Sequence, residues 1–195
     1  MYIVPNHQLP VQSNIEAKLV SLHGKNFQRI ISQDDIQQRV GELGSILRMQ
    51  YEGKRPLFIG ILNGAFVFAA DLVRAYAEEC EIVFVRLASY SGTSSTGKIN
   101  TVIGLESGDI EGRDIIIVED IVDTGRTLSE FIKMLQDYNP ASVSIVTCFL
   151  KPDALNFDLK PELVGFSIPT KFIVGYGLDY DGLGRNLSAI YQLVE

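Results

Sequence analysis

Residues 115–128, IIIVEDIVDTGRTL, carry three carboxylates in close succession, Glu119, Asp120 and Asp123, followed at once by Thr124, Gly125, Arg126 and Thr127. Carboxylates at this spacing suit a cation, a sugar diol or a proton transfer. Clustered acids also repel one another, and a cation or a hydrogen-bonding ligand would offset that repulsion. The turn after them is small and hydroxyl-bearing, and it opens a helix. Free backbone N–H groups at such a start, joined by hydroxyls, suit a phosphate. The combination points to a phosphorylated sugar handled with acid–base chemistry. The bland alternative is that Asp123 or Thr124 merely caps the helix. For a lone Asp-Thr-Gly the cap is the better reading; three acids ahead of it, where ligands usually bind, favour a site.

The flanking elements explain how these residues would be held. Ile115 to Val118 is a run of apolar β-formers, and Leu128, Phe131, Ile132 and Leu135 recur at helical spacing, so a buried strand leads through an acidic loop into a helix over 125–137. The same alternation fills the rest of the chain. Phe27–Ile31 reads as a short strand. Ser32 with Asp34 and Asp35 starts a helix whose apolar stripe is Ile36, Val40, Leu43 and Leu47. Leu57–Leu62 is a buried strand, Asn63–Gly64 a tight turn, and Ala65–Tyr76 a mostly apolar helix. Ile82–Leu87 and 142–150 are further strands, 99–105 a candidate returning strand, and 89–98 the most polar stretch. Strands alternating with helices predict an α/β fold with a doubly wound, mainly parallel sheet. Ligands in such sheets sit at the carboxyl ends of the strands, where both Asn63–Gly64 and Glu119–Thr127 would lie. From 151 onward the chain is rich in turn residues.

Bulk properties narrow the chemistry. The 195 residues, 46% hydrophobic and 21% charged, are enough for one domain, 1–195, with a substantial core. A formal net charge of −7 argues against a nucleic-acid-binding face, so an anionic substrate would need a few placed cations. The candidates are Lys98, Arg126, Lys151, Lys171 and Arg185. Cys80 and Cys148 sit in apolar surroundings without metal spacing and read as free thiols of a reducing compartment. His7 and His23 lie far from the acids in sequence and support neither a triad nor a zinc site. The start MYIVPNHQLP has no signal-peptide character, and the longest apolar stretch, Leu57–Ala70, is interrupted by Asn63 and too short for a bilayer. A cytoplasmic protein without a membrane partner is expected.

Three motif look-alikes fall away. Asp123-Thr124-Gly125 matches the aspartic-protease triplet, but that triplet belongs to an all-β context. The phosphate-loop spacing G-x-x-x-x-G-K-[ST] is absent. Gly182-Leu183-Gly184 lacks the third glycine of a dinucleotide fold.

VEDIVDTGRTL at 118–128 resembles the phosphoribosyl-pyrophosphate (PRPP) motif of type I phosphoribosyltransferases. Other stretches narrow the likeness to the hypoxanthine(-guanine) phosphoribosyltransferases. Leu62-Asn63-Gly64-Ala65-Phe66 resembles their pyrophosphate loop, and Ser89-Tyr90 opens a stretch like their flexible catalytic loop. Lys151 and VGFSIPTKFIVGYGLDYDGLGR at 164–185 resemble their purine-binding region. Taken singly, the lysines read as solvated, Phe172 to Val174 as a core strand and Arg185 as a surface cation. Their order along roughly 27–195 is what argues for function.

The resemblance implies a core over 27–150 and a small loop-rich hood made by 151–195 with N-terminal residues. It implies an enzyme, a pentosyltransferase of purine salvage, that moves the phosphoribosyl group of PRPP to N9 of hypoxanthine or guanine. By resemblance, Glu119 and Asp120 hold the ribose hydroxyls directly or through Mg²⁺, with Asp179 a ligand of a second Mg²⁺. Asp123 is the acid/base facing purine N7, and Thr124, Gly125, Arg126 and Thr127 cradle the 5′-phosphate. Lys151 and Lys171 meet the O6 of a 6-oxopurine, Phe172 stacks on the base and the Ile173 backbone reads its edge. Leu62, Asn63, Gly64 and Arg185 meet the pyrophosphate. Many relatives carry lysine where this chain has Asn63, which brings no charge. Some carry a cis peptide after the position of Leu62. A homodimer or homotetramer is also implied. The competing reading is a PRPP- or nucleotide-sensing regulator on the same fold, to which Asn63 lends weight and Asp123 does not.

Overall fold

A computed structural model describes residues 18–88, 100–101, 105 and 107–194. Ser89, Tyr90 and Lys98 lie outside these. In chain order the described elements are β1 (Leu19–Leu22), β2 (Lys25–Ile31), α1 (Gln33–Gln50), β3 (Leu57–Leu62), α2 (Phe66–Tyr76), β4 (Glu81–Ala88), β5 (Asn100–Thr101), β6 (Asp114–Val122), α3 (Arg126–Gln136), β7 (Ser142–Leu150), β8 (Leu163–Ser167), β9 (Ile173–Val174) and β10 (Ile190–Leu193). No described helix is long and apolar enough to cross a membrane.

The larger sheet runs β5-β4-β3-β6-β7-β8, parallel throughout except for the antiparallel edge pair of β5 with β4. Its inner strands are apolar on both sides because both faces are covered. The helices α1 and α2 cover one face over Phe58, Ile116, Val118 and Val146. The helix α3 covers the other, with Leu128, Phe131 and Leu135 packed against Ile59, Ile115, Ile117 and Ile145. The chain passes from β3 to β4 on one side, then returns to β6 on the other. Strand order therefore reverses between β3 and β6, and the crevice at their carboxyl ends is where a ligand fits such a sheet.

Local chemistry sets the helix bounds. Ser32 caps α1 by accepting from Asp35 N at 3.1 Å, while the Asp35 carboxylate accepts from Ser32 N at 3.3 Å, closing a reciprocal box. The close approach of α1 to α2 is made at Gly44, where a Cβ would stand 2.6 Å from Ala75.

Two expectations needed correction. The strand expected to end at Val118 continues to Val122, so Glu119 and Asp120 are strand residues and not loop residues. The neighbour β7 offers ladder partners that far, with Glu119 opposite Thr147, Ile121 opposite Phe149 and Val122 opposite Leu150, and cross-strand pairing is invisible in a local apolar run. The division at residue 150 also shifts. The strand β2 belongs to a small antiparallel sheet, β1-β2-β10-β9, and β8 joins the large sheet beside β7. Of the candidate strand 99–105, residues 100, 101 and 105 are described, and Asn100–Thr101 is strand.

Candidate active site

Successive strand residues point to opposite faces, yet at the end of β6 the carboxyl groups of Glu119 and Asp120 still meet and share a hydrogen bond. Glu119 lines a cavity of about 240 Å³ on the α3 side, together with Ile61, Leu87 and the turn Asp123–Thr127. Asp120 packs on the other side against the turn after β3. An ideal Cβ on Gly64 would lie 1.4 Å from Asp120 Oδ2, so only glycine fits there. Burial, then the neighbouring Asp120 charge, pushes the Glu119 carboxyl well above the usual carboxylate range. Burial likewise raises Asp120, against the hydrogen bond shared with Glu119, the Ile121 N–H that donates to Oδ1 at 2.9 Å and the positive charge of Arg185.

The turn that follows opens α3 at Gly125, whose φ of 81° is the left-handed region glycine tolerates. Gly125 brings no capping side chain. Asp123 is no cap either, because its carboxylate accepts from Lys151 Nζ at 2.8 Å. Thr124 Oγ1 stands 3.5 Å from Arg126 N, at the limit of a hydrogen bond. The N-terminal end of α3 thus opens on the cavity without a strong side-chain cap, while the Arg126 side chain turns aside to Glu130 at 3.3 Å.

The Asp123–Lys151 pair joins the ends of β6 and β7. The Lys151 side chain is 12% exposed and that of Asp123 48%, so the lysine stands behind and the carboxylate faces outward. On the small sheet, Ile173 pairs with Gln192 and is buried. Phe172 is 45% exposed. Its ring meets Tyr180 edge-on with centroids 5.6 Å apart, and Tyr180 is backed by Phe27 and His23. The β1–β2 hairpin therefore supports the face that carries Phe172. Lys171 lies exposed beside it.

The peptide between Leu62 and Asn63 is cis. Arg185 reaches toward this region: its guanidinium donates to Gly177 O at 2.6 Å and pairs with Asp179 Oδ1 at 2.6 Å. Asp179 Oδ2 accepts from Gly182 N at 2.7 Å. Both Asp179 oxygens therefore already hold partners in the hood. Among the described residues, no group of three or more acids, histidines or cysteines is gathered as for a metal ion, so Glu119, Asp120 and Asp179 do not form one cluster. The adjacent pair of buried Asp120 and half-buried Glu119, two acids in contact, still fits a divalent cation or a diol. Asp179 fits only through its remaining lone pairs.

Sequence reasoning missed Asp71 and Tyr176. The Tyr176 hydroxyl donates to Asp71 Oδ2 at 2.7 Å, tying the hood to α2. The available signal was one acid in the otherwise apolar start FVFAAD of α2.

Comparison with known proteins agrees with this geometry. Residues 30–181 match the phosphoribosyl transferase domain family. The hypoxanthine-guanine phosphoribosyltransferase of Lactococcus lactis subsp. lactis is 43% identical over 81% of this chain and 86% of its own length. The bifunctional protein TilS/HprT of Listeria monocytogenes serotype 4b is 39% identical over 87% of this chain, which spans about a quarter (26%) of that longer protein. A crystal structure of a hypoxanthine phosphoribosyltransferase from Staphylococcus aureus superposes with a TM-score of 0.80 at 39% identity, covering 85% of this chain and 90% of that one. With its switch-point crevice, strand-end acids and phosphate-type turn, the chain belongs to the phosphoribosyl transferase family, in the group of the hypoxanthine-guanine phosphoribosyltransferases.

Proposed function

We infer that this protein is a purine salvage transferase that joins the phosphoribosyl group of PRPP to N9 of hypoxanthine or guanine, releasing IMP or GMP and pyrophosphate. The observation that carries the reading is the outward-facing Asp123 carboxylate. Lys151 holds it at 2.8 Å on the rim of the cavity lined by Glu119 and the α3 turn. One cavity edge thus offers a proton acceptor, a lysine and a phosphate-type turn.

The chain's residues divide the work as follows. Backbone N–H groups and hydroxyls of Thr124–Thr127 bind the 5′-phosphate. Glu119 and Asp120 accept from the ribose hydroxyls, and their charge offsets the positive charge that develops at C1. Purine N9 bonds to C1 as the C1–oxygen bond breaks and its electron pair leaves with pyrophosphate. Asp123 takes the proton of the imidazole ring at N7. Lys151 and Lys171 donate to O6, an acceptor that 6-oxopurines have and adenine lacks. Phe172 packs on the base, the Ile173 main chain faces its edge, and Arg185 with Leu62–Gly64 meets the leaving pyrophosphate. Mg²⁺ held by Glu119 and Asp120, with a second Mg²⁺ held through Asp179, would supply positive charge to the pyrophosphate. A homodimer or homotetramer goes with this reading, and light scattering at micromolar concentration tests it.

Incubation with PRPP, Mg²⁺ and, separately, hypoxanthine, guanine, xanthine and adenine tests the reading. Nucleotide and pyrophosphate from hypoxanthine or guanine are expected. Product from adenine alone would overturn the role of the lysines. No product from any base would favour a PRPP-binding regulator.

A further inference from the structure

The hydrogen bond between Tyr176 and Asp71 lies behind the site and joins its two halves. Asp71 sits on α2, the helix that starts directly after the Asn63–Gly64 turn. Its Oδ2 accepts from the Tyr176 hydroxyl at 2.7 Å and from Gln37 of α1 at 2.9 Å, and its Oδ1 pairs with Arg74. Burial would raise this carboxyl, but these donors outweigh it and hold the group below the ordinary carboxylate range. Tyr176 lies in the turn after β9, between Phe172 and Arg185. It is 3% exposed and holds a φ of 48°, a left-handed conformation uncommon for a bulky side chain. Its N–H donates to Leu187 O at 2.7 Å.

The next residue shows what this anchoring does. A Cβ on Gly177 would stand 2.1 Å from Gly64 O, so the purine-side turn and the turn at the end of β3 touch backbone to backbone. Gly177 O also accepts from Arg185 at 2.6 Å. The spacing between the two turns therefore depends on a glycine–glycine contact, with one tyrosine–carboxylate bond behind it.

We propose that Tyr176 and Asp71 are positioning residues, which set the purine-side turn against the pyrophosphate turn and so align base N9 with the ribose C1–oxygen bond. The inference rests on the function proposed above. Displacements of about 1 Å at reacting atoms lower rates by up to about a hundredfold. A shift of the two turns relative to each other should therefore slow the reaction more than it weakens either substrate's own binding.

The test compares wild type, Tyr176→Phe, Asp71→Asn, Asp71→Ala and the double variant Tyr176→Phe/Asp71→Ala. The readouts are kcat, KM for each substrate, PRPP affinity by calorimetry and thermal midpoint. Tyr176→Phe should lower kcat about tenfold or more, with PRPP affinity unchanged within about threefold. Asp71→Asn keeps an acceptor for the tyrosine and should retain more activity than Asp71→Ala. The double variant should be no slower than the slower single, as for two groups acting as one unit. An unchanged kcat in both Tyr176→Phe and Asp71→Ala would overturn the inference alone. So would losses of kcat that parallel losses of PRPP affinity, or additive losses in the double variant. If Tyr176→Phe fails to fold, the two Asp71 variants decide: higher kcat in Asp71→Asn supports the inference, and equal kcat in both overturns it. An inactive wild type would overturn the proposed function and this inference with it.

Discussion

Asp123 and Glu119 are close in sequence and sit in opposite environments. Asp123 is half exposed and paired with Lys151, whereas Glu119 is half buried against another acid. Different effects of removing their charge follow. Asp123→Asn should lower kcat by about 10²–10⁴-fold, the usual share of a positioned acid or base, with PRPP affinity little changed. Steady-state kinetics beside a calorimetric titration checks both halves. Glu119→Gln removes a carboxyl whose burial opposes its charge. It should raise the ligand-free stability by about 0.5–2 kcal/mol while lowering catalysis, a trade expected where a functional group is held against its own preference. Denaturant titration of the ligand-free protein reads the first effect, and equal or lower stability in the variant would contradict it.

Among the elements, the positions of β6 and β8 matter most to the site. The extension of β6 to Val122 puts Glu119 against the α3 turn and Asp120 against the turn after β3, so one strand end serves two sub-sites. Gly64 makes the second arrangement possible. Gly64→Ala would force its Cβ onto the Asp120 carboxylate and should cost about 1–3 kcal/mol, as overpacking does, together with activity. A thermal midpoint equal to that of wild type would contradict the contact. The strand β8 is held from outside by α1, where the buried Arg39 donates to Gly165 O at 3.0 Å and to Val164 O at 2.8 Å. Arg39→Met leaves those carbonyls without these donors and should destabilise by about 1–3 kcal/mol. Because the partners of Arg39 are Gly165 O, Val164 O and Glu42, none of them an assigned site residue, kcat at low temperature should hold.

At the scale of the whole molecule, carboxyls displaced in opposite directions shape the response to pH. Glu119 and Asp120 are raised, so the folded state holds more protons than the unfolded above their ordinary values of about 4. Their ionisation therefore weakens the ligand-free fold as pH rises through the folded values, and that loss is recovered on acidification. Asp71 is depressed by its hydrogen-bond donors, and Asp114 by the Ser142 hydroxyl and Lys54, with burial opposing in both. Their contributions are present above about pH 4 and are lost as pH falls through the folded values. The ligand-free thermal midpoint should therefore rise on acidification from neutral pH and then fall below about pH 4. Glu119→Gln should flatten the first limb and spare the second. A midpoint in wild type that falls steadily from neutral pH downward would contradict the raised pair.

Apolar period and capping chemistry act within a few residues, so β3, α2, β7 and α1 with its Ser32 cap are legible in the sequence alone. It also placed the chemistry at 119–127, since acids and small hydroxyl residues clustered after an apolar strand have few other uses. That Glu119 and Asp120 stand on a strand with their carboxyls in contact came only with the folded chain, because it depended on β7 offering ladder partners as far as Leu150. The assignment of β2 to the small sheet and β8 to the large one rests on pairings between residues more than a hundred positions apart in the first case, as Ile31 with Ile190. The folded chain likewise decided the Asp71–Tyr176 bond and the contact of Gly177 with Gly64. A lone acid in a helix and a glycine in a turn say nothing of what they meet until the chain has brought two distant surfaces together.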